Sequence, residues 1–135
     1  MRIMAVTPIL NHDPSERVRF EKIVGRKHAM AKYLITASYS AEGLKGLQND
    51  KATGRRDAVR QAVECVGGRL ESYYFAFGED DVVSIVDLPG NVAASALSLA
   101  VSATGRVRTR TTPLLTPEEV DQALGASVTY RGTGG

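Results

Sequence analysis

The sequence predicts an α+β sandwich in which one four-stranded antiparallel sheet carries two helices on a single face. Four short segments rich in β-branched and aromatic residues alternate with two longer segments whose apolar residues recur at helical spacing. A short acidic turn joins the second and third strand segments, which therefore form a hairpin. Strand, helix, two strands, helix and strand is the order of the ferredoxin-like fold, and a short helix follows it.

The first half of the predicted domain is a strand, a loop and a helix. Residues 33–39 (YLITASY) are rich in β-forming side chains, and residues 40–46, which contain two glycines, are predicted to be a loop. Gly67 and Gly68 end the first helix, because glycine readily adopts the left-handed conformation at a helix C-terminus. The apolar residues of this helix form one stripe: Ala58, Val59, Ala62, Val63 and Val66.

The predicted hairpin and the second helix follow. Residues 69–77 (RLESYYFAF) and 81–88 (DVVSIVDL) are its strands, and residues 78–80 are its turn. A Pro-Gly pair breaks the third strand, and Asn91 is predicted to cap the next helix. That helix repeats the apolar stripe of the first one: Val92, Ala93, Ala96, Leu97, Ala100 and Val101.

The end of the domain is predicted to be a fourth strand and a short helix. Residues 106–112 (RVRTRTT) form the strand. Thr116 is the expected N-cap of the helix, with Pro117 at its first position and Glu119 completing a capping box. Gly125 is expected to end this helix.

Connection rules fix the order of the strands and leave one sheet face uncovered. Right-handed crossovers place the first and third strands at the centre and the second and fourth at the edges. The third strand has Val83 and Ile85 on one face and Val82 and Val86 on the other, as expected of a strand buried on both sides. We therefore expect a homodimer that forms through the open sheet face.

The chain is predicted to divide into a leader, one domain and a tail. Residues 1–29 show neither helical nor strand periodicity, and their apolar pieces are too interrupted for a secretory signal. We expect residues 1–29 to be a disordered leader, residues 30–126 to be the domain and residues 127–135 to be a flexible tail. Met30 precedes the first strand directly and is a candidate for the native start, which would make the leader a start-site overcall.

Charge and composition argue against several partners. The net charge is +2, but residues 1–29 hold six basic and three acidic side chains, and the rest of the chain holds 11 basic and 12 acidic ones. The domain thus lacks the basic surplus that nucleic-acid binding needs. No apolar run approaches the length of about 18 residues that suggests a membrane span. The single cysteine suggests a reducing compartment, so we expect a cytoplasmic protein.

The residue types that usually carry metal or proton-transfer chemistry are scarce in the domain. Both histidines lie in the leader, so the domain lacks the usual agent of proton transfer near neutral pH. The acidic turn of Glu79, Asp80 and Asp81 offers too few oxygens for Ca²⁺, which needs six to eight. We expect no metal and no cofactor.

Several short motifs resemble those of one protein family. The run GEDDVV at residues 78–83, with VDLP at residues 86–89, resembles the signature of the GYD domain family, named for a Gly, Tyr, Asp motif at this turn and strand. TGRVRT at residues 104–109 is similar to the family's entry to its last strand, and KYLI at residues 32–35 also fits. The resemblance covers about residues 30–116. It implies a ferredoxin-like fold of the dimeric α/β-barrel type and no established activity.

One position departs from the family motif. Gly78 and Asp81 match it, whereas Asp80 stands where the family usually has tyrosine. The resemblance therefore carries no role of that tyrosine over to this chain.

Two surface patterns are candidate binding features. Arg106, Arg108 and Arg110 alternate along the fourth strand and share one face, so they could hold a carboxylate or a phosphate. Protection of an exposed edge strand by charge is the interpretation that we favour for them. A second group lies on the first two strands and is interpreted as core and dimer packing rather than as an RNA-stacking surface: Tyr33, Tyr39, Tyr73 and Tyr74.

Two functions stay open at this point. The preferred one is a non-catalytic homodimeric module that binds a small molecule or a protein partner. The alternative is a cofactor-free enzyme, similar to dimeric α/β-barrel monooxygenases, that acts on a small organic substrate between helices and sheet. The candidate ligand-binding residues are Arg108, Tyr74, Ser84 and Asp81, and for Asp81 we favour a structural role as an acceptor of backbone N–H groups. A closed polar pocket with an arginine, a tyrosine and a carboxylate would favour the enzyme.

Overall fold

The computed structural model describes residues 29–134, and it has the predicted order of strands and helices. The predicted leader lies outside the described residues except for its last position. The elements are β1 (Ala31–Tyr39), α1 (Ala41–Cys65), β2 (Arg69–Phe75), β3 (Val82–Leu88), α2 (Asn91–Ser102), β4 (Val107–Leu114) and α3 (Pro117–Leu124). The sheet has the order β2-β3-β1-β4, and all of its neighbours are antiparallel. The α+β ferredoxin-like fold is confirmed, with the predicted strands at the centre and at the edges.

The alternation of side chains divides the sheet into a helix-covered face and an open face. On β3 every second residue is buried, and Val86 and Leu88 are fully so. Tyr33 of β1 lies opposite Val86 and is 3% exposed, because both side chains point toward the helices. Val63 of α1 and Leu97 of α2 complete this core from the helix side.

The first helix is much longer than predicted, and the loop prediction for residues 40–46 is wrong. α1 begins at Ala41, where the Ser40 hydroxyl oxygen accepts a hydrogen bond from the Gly43 N–H at 3.2 Å. Gly43 lies against the start of β4, and a Cβ at this position would sit 2.3 Å from the Arg106 carbonyl oxygen. The glycine therefore serves the close approach of helix and sheet rather than a turn.

A strained residue interrupts α1. Lys51 has φ 65° and ψ 163°, which breaks the helix into two stretches joined by a kink. It is the one residue other than glycine with a positive φ among residues 29–134. Such a conformation costs an L-residue roughly 1–3 kcal/mol, since the Cβ crowds the backbone.

Replacing Lys51 with glycine is expected to stabilise the protein by about 1 kcal/mol. Relief of the strain exceeds the roughly 0.5–1 kcal/mol by which glycine favours the unfolded chain. Lys45 lies in the regular first stretch of α1, so Lys45→Gly should lower the free energy of unfolding by about 1 kcal/mol. Urea unfolding measures the free energy of unfolding of both variants. If it fell equally in both, the backbone at Lys51 would not be strained.

Three element ends differ from the prediction. Gly90, with φ 138°, is the N-cap of α2, and Asn91 is its first helical residue, so the predicted cap is displaced by one position. The Asn91 side-chain oxygen instead accepts a hydrogen bond from the Tyr33 hydroxyl at 2.7 Å. β2 ends at Phe75, and β4 continues through Pro113 because an edge strand tolerates a residue without an N–H.

The short last helix has the predicted capping box. The Thr116 hydroxyl oxygen accepts a hydrogen bond from the Glu119 N–H at 3.1 Å, and the Glu119 carboxylate accepts one from the Thr116 N–H at 2.8 Å. α3 has no buried residue. Within the described part of the chain, no helix is both long and apolar enough to cross a membrane.

Candidate ligand-binding site

An enclosed space of about 70 Å³ lies between the two long helices and the covered face of the sheet. Its walls are mostly apolar, and the sheet side adds the hydroxyl groups of Ser84, Thr109 and Thr111. Strand register places Tyr73, Ser84, Ile35 and Thr111 in one row across all four strands. Since neighbouring strands are about 4.8 Å apart, Tyr73 and Thr111 stand at opposite sides of the sheet, about 14 Å from each other.

Two tyrosines and an arginine lie at the β2 side of this space. Burial raises the pKa of Tyr73, and the neighbouring Tyr39, with which it shares a side-chain hydrogen bond, raises it further. The positive charge of the Arg55 guanidinium lowers the pKa of Tyr73, but by less than burial and Tyr39 raise it. Arg55 is itself paired with Asp50 at 3.3 Å. Tyr73 consequently stays protonated throughout the neutral pH range.

A larger, open cleft of about 460 Å³ lies between α2 and the β1–β4 side of the sheet. Leu99 and Pro113 give it apolar walls, and Tyr33, Asn91 and Ser95 add polar groups. None of the described residues that line the cleft is charged. The cleft is thus an apolar surface with several hydroxyl and amide groups at its margin.

Thr111 and Ser98 line both spaces, so the cleft and the enclosed space meet at these two residues. The Ser98 hydroxyl is 3.0 Å from the Thr109 hydroxyl oxygen and forms a hydrogen bond with it. The Thr111 hydroxyl oxygen is buried and has no hydrogen-bond partner among residues 29–134. Buried polar groups are almost always paired, and an unpaired one costs about 1–3 kcal/mol. Thr111 is therefore a polar group at the junction whose hydrogen bonding the described residues leave unsatisfied.

The four candidate residues from the sequence do not converge on this junction. Arg108 and Tyr74 lie on the open face, on edge strands β4 and β2 at opposite sides of the sheet. Ser84 lies on the covered face and lines the enclosed space, where its hydroxyl donates to the Ile35 carbonyl oxygen at 2.9 Å. Of the four, Ser84 is the one that faces the enclosed space.

Asp81 has the structural role that the sequence suggested. Its carboxylate accepts a hydrogen bond from the Tyr39 N–H at 2.8 Å, and its own N–H donates to the Ala37 carbonyl oxygen at 2.8 Å. These bonds join the β2–β3 loop to the end of β1. The favoured structural interpretation of Asp81 is confirmed.

The arginine row lies on the open face of β4, as its spacing predicted. Arg110 forms two hydrogen bonds with the Asp80 carboxylate, at 2.8 and 2.7 Å. Arg108, opposite Ser38 of β1, is exposed and makes no ion pair with any residue of the described segment. Asp80 thus connects the hairpin turn to the edge strand, and one of the three arginines is held in place by it.

The open face has an apolar centre and charged ends. Leu34, Val83 and Ile85 are half-buried at its middle. At one end Lys32 pairs with Glu71 and Asp87, and Arg69 also binds Asp87 at 2.8 Å. The Asp80–Arg110 pair occupies the other end. An apolar centre inside a charged rim is the usual composition of a protein–protein interface.

Sequence reasoning missed Thr111, although one signal pointed toward it. The alternation of β4 placed Thr109 and Thr111 on the face opposite the arginines, and hence toward the helices. Whether the Thr111 hydroxyl finds a hydrogen-bond partner depends on the neighbouring helix α2, and the strand pattern does not reveal where that helix lies. Among residues 29–134, no group of His, Cys, Asp and Glu side chains is placed to hold a metal ion.

Comparison with known protein families identifies a match to most of the domain. The model of a family described as the GYD domain matches residues 33–124, which is well over half of the 135-residue chain. The match includes α3 and so extends past residue 116, where the sequence resemblance ended. No curated protein and no solved structure matches the chain.

Proposed function

Since the chain belongs to the GYD domain family, we propose that it is a homodimeric module that binds a small molecule where its helices meet the sheet. The observation that carries this proposal is the open cleft beside α2, which shares Ser98 and Thr111 with the space under the helices. The open cleft, at about 460 Å³, has the size of a small-molecule site, for which about 300–1,000 Å³ is typical. The apolar centre of the open face supports the homodimer.

The alternative, a cofactor-free enzyme, has less support. The enclosed space holds a tyrosine pair and Arg55, but its described lining has no carboxylate, and its volume is about 70 Å³. Tyr73 has a raised pKa, so it would not act as a base near neutral pH. These features favour binding over proton-transfer chemistry.

Ligand binding is tested by thermal unfolding in the presence of a panel of small alcohols, phenols, amides and carboxylic acids. A ligand at 100 times its dissociation constant stabilises the folded state by about 2.7 kcal/mol, which raises the melting temperature by about 10 °C. We expect at least one uncharged compound to produce such a shift.

A bulky side chain in the cleft provides the control. Ser95 lines the cleft, whereas Ser102 lies exposed at the other end of the same helix. Ser95→Trp should abolish the shift, and Ser102→Trp should preserve it. If no compound shifts the wild-type protein, or if both tryptophan variants respond like it, the proposed binding function is wrong.

A further inference from the structure

Resting on the proposed homodimer, we infer that α3 of each subunit packs along the arginine row on β4 of its partner. In this contact Asp121 pairs with the partner's Arg108, and the apolar side of α3 covers the aliphatic stems of the arginines. Three features lead to this arrangement: the exposure of α3, its charge and its position relative to the arginines.

α3 is a well-formed helix that covers nothing in its own subunit. Its N-terminus has a complete capping box, yet every residue from Pro117 to Leu124 is exposed. At 3.6 residues per turn, Val120 and Leu124 lie on one side of the helix, where they are 41% and 78% exposed. An apolar stripe on a helix is normally covered by another element. Within residues 29–134 none covers this one.

The charge of α3 complements that of the arginine row. Residues 115–126 contain three acids and no base. Asp121 lies beside the apolar stripe and makes no ion pair within the described segment. Arg108 is also exposed, and no described acid pairs with it. An arginine and a carboxylate can form two parallel hydrogen bonds, so each of these side chains is a suitable partner for the other.

The two complementary charges stand at opposite ends of the same edge strand. Arg108 is near the start of β4, and Leu114, which ends it, is about 20 Å away in an extended chain. A twofold axis that runs across the strands, between two facing sheets, exchanges the two ends. It therefore brings α3 of each subunit to the arginine end of the other, and the contact forms twice. Since the arginines lie on the open face, this contact continues the interface proposed there.

The arginines also offer a surface for the apolar stripe. Arginine side chains lay their aliphatic stems along a protein surface and keep only the guanidinium in water. Arg110 is already held in place by its two hydrogen bonds to Asp80. Val120 and Leu124 pack on these stems, beside the apolar centre of the open face.

The charge pair is tested by exchanging its two charges in the full chain and measuring the dimer by sedimentation equilibrium. Arg108→Asp and Asp121→Arg should each raise the dissociation constant about tenfold, because like charges then meet in both copies of the contact. Both substitutions together should return it to within about threefold of the wild-type value. Glu118 lies on the side of α3 away from the stripe, so Glu118→Arg, an equal change of charge, should have no effect.

The apolar stripe is tested separately from the charges. Replacing both Val120 and Leu124 with glutamine should raise the dissociation constant about a hundredfold, because two helices lose apolar cover in each dimer. Glutamine is a good helix former, and neither side chain is buried within one subunit. Circular dichroism of the variant should therefore match that of the wild type.

The possible results separate this contact from the homodimer itself. If the substitutions in α3 and at Arg108 leave the dissociation constant unchanged while Val83→Asp dissociates the dimer, α3 does not bind the partner and the homodimer stands. A combined charge variant that is weaker than either single one would also overturn the contact. So would a loss with Glu118→Arg as large as that with Asp121→Arg. A monomeric wild-type protein would overturn both the contact and the proposed homodimer.

Discussion

Replacing Gly43 with alanine is expected to destabilise the fold by about 3 kcal/mol, near the upper end of the usual range for overpacking. A Cβ at this position would lie 2.3 Å from the Arg106 carbonyl oxygen and 2.9 Å from Tyr39 Cδ1. The tyrosine ring can turn away, but the carbonyl belongs to the backbone. The same carbonyl accepts hydrogen bonds from the Ser40 N–H at 2.9 Å and from its hydroxyl at 3.2 Å. Moving it would therefore loosen the contact between α1 and β4.

Gly46 supplies a matched control in the same helix. A Cβ there would meet no atom within 4 Å, so Gly46→Ala should stabilise the protein by about 1 kcal/mol through higher helix propensity. Urea unfolding gives both free energies from the shift in midpoint. If the two alanine variants changed stability in the same direction, the close contact with the Arg106 carbonyl would not explain why residue 43 is a glycine.

The comparison of these two glycines shows why part of the fold could be predicted and part could not. Strands and stripe-bearing helices leave periodic patterns, so β3 and the second half of α1 were found where they lie. The sequence predicts a loop over residues 40–46, where α1 begins, because two glycines in seven residues are a local signal for a turn. Position 43 must be glycine because the start of β4 packs closely against it. That strand lies some sixty residues later in the chain, so no local sequence pattern predicts this requirement.

The candidate site shows the same limit. Alternation along β4 separated the arginines from the threonines correctly, and Ser84 was named from the sequence and does line the enclosed space. Arg108 and Tyr74 are candidates by their chemistry alone, and they lie on the other face of the sheet. Thr111 differs from its neighbours because its hydroxyl has no hydrogen-bond partner among residues 29–134. A missing contact becomes visible only when every neighbour has been placed.

Introducing a charge at Val83 is expected to dissociate the proposed homodimer. Val83 is half-buried at the apolar centre of the open face, between Thr36 of β1 and Tyr74 of β2. In a twofold-symmetric dimer, the same substitution occurs on both sides of the interface. Val83→Asp would thus bury two carboxylates without partners, at several kcal/mol each, and raise the dissociation constant more than a thousandfold. Light scattering at micromolar concentration should find wild-type dimers and Val83→Asp monomers.

Val92→Asp, the same substitution on helix α2 instead of the sheet, is the control. It is 60% exposed in the first turn of α2, where a carboxylate interacts favourably with the helix dipole, so Val92→Asp should remain a folded dimer. Circular dichroism distinguishes a folded Val83→Asp monomer from an unfolded chain, and the former is expected because Val83 is only partly covered within one subunit. A wild-type monomer, or a dimer that persists in Val83→Asp, would mean that the open face is not where two copies meet. In that case the ion pairs around it would have to be explained as protection of a single exposed sheet.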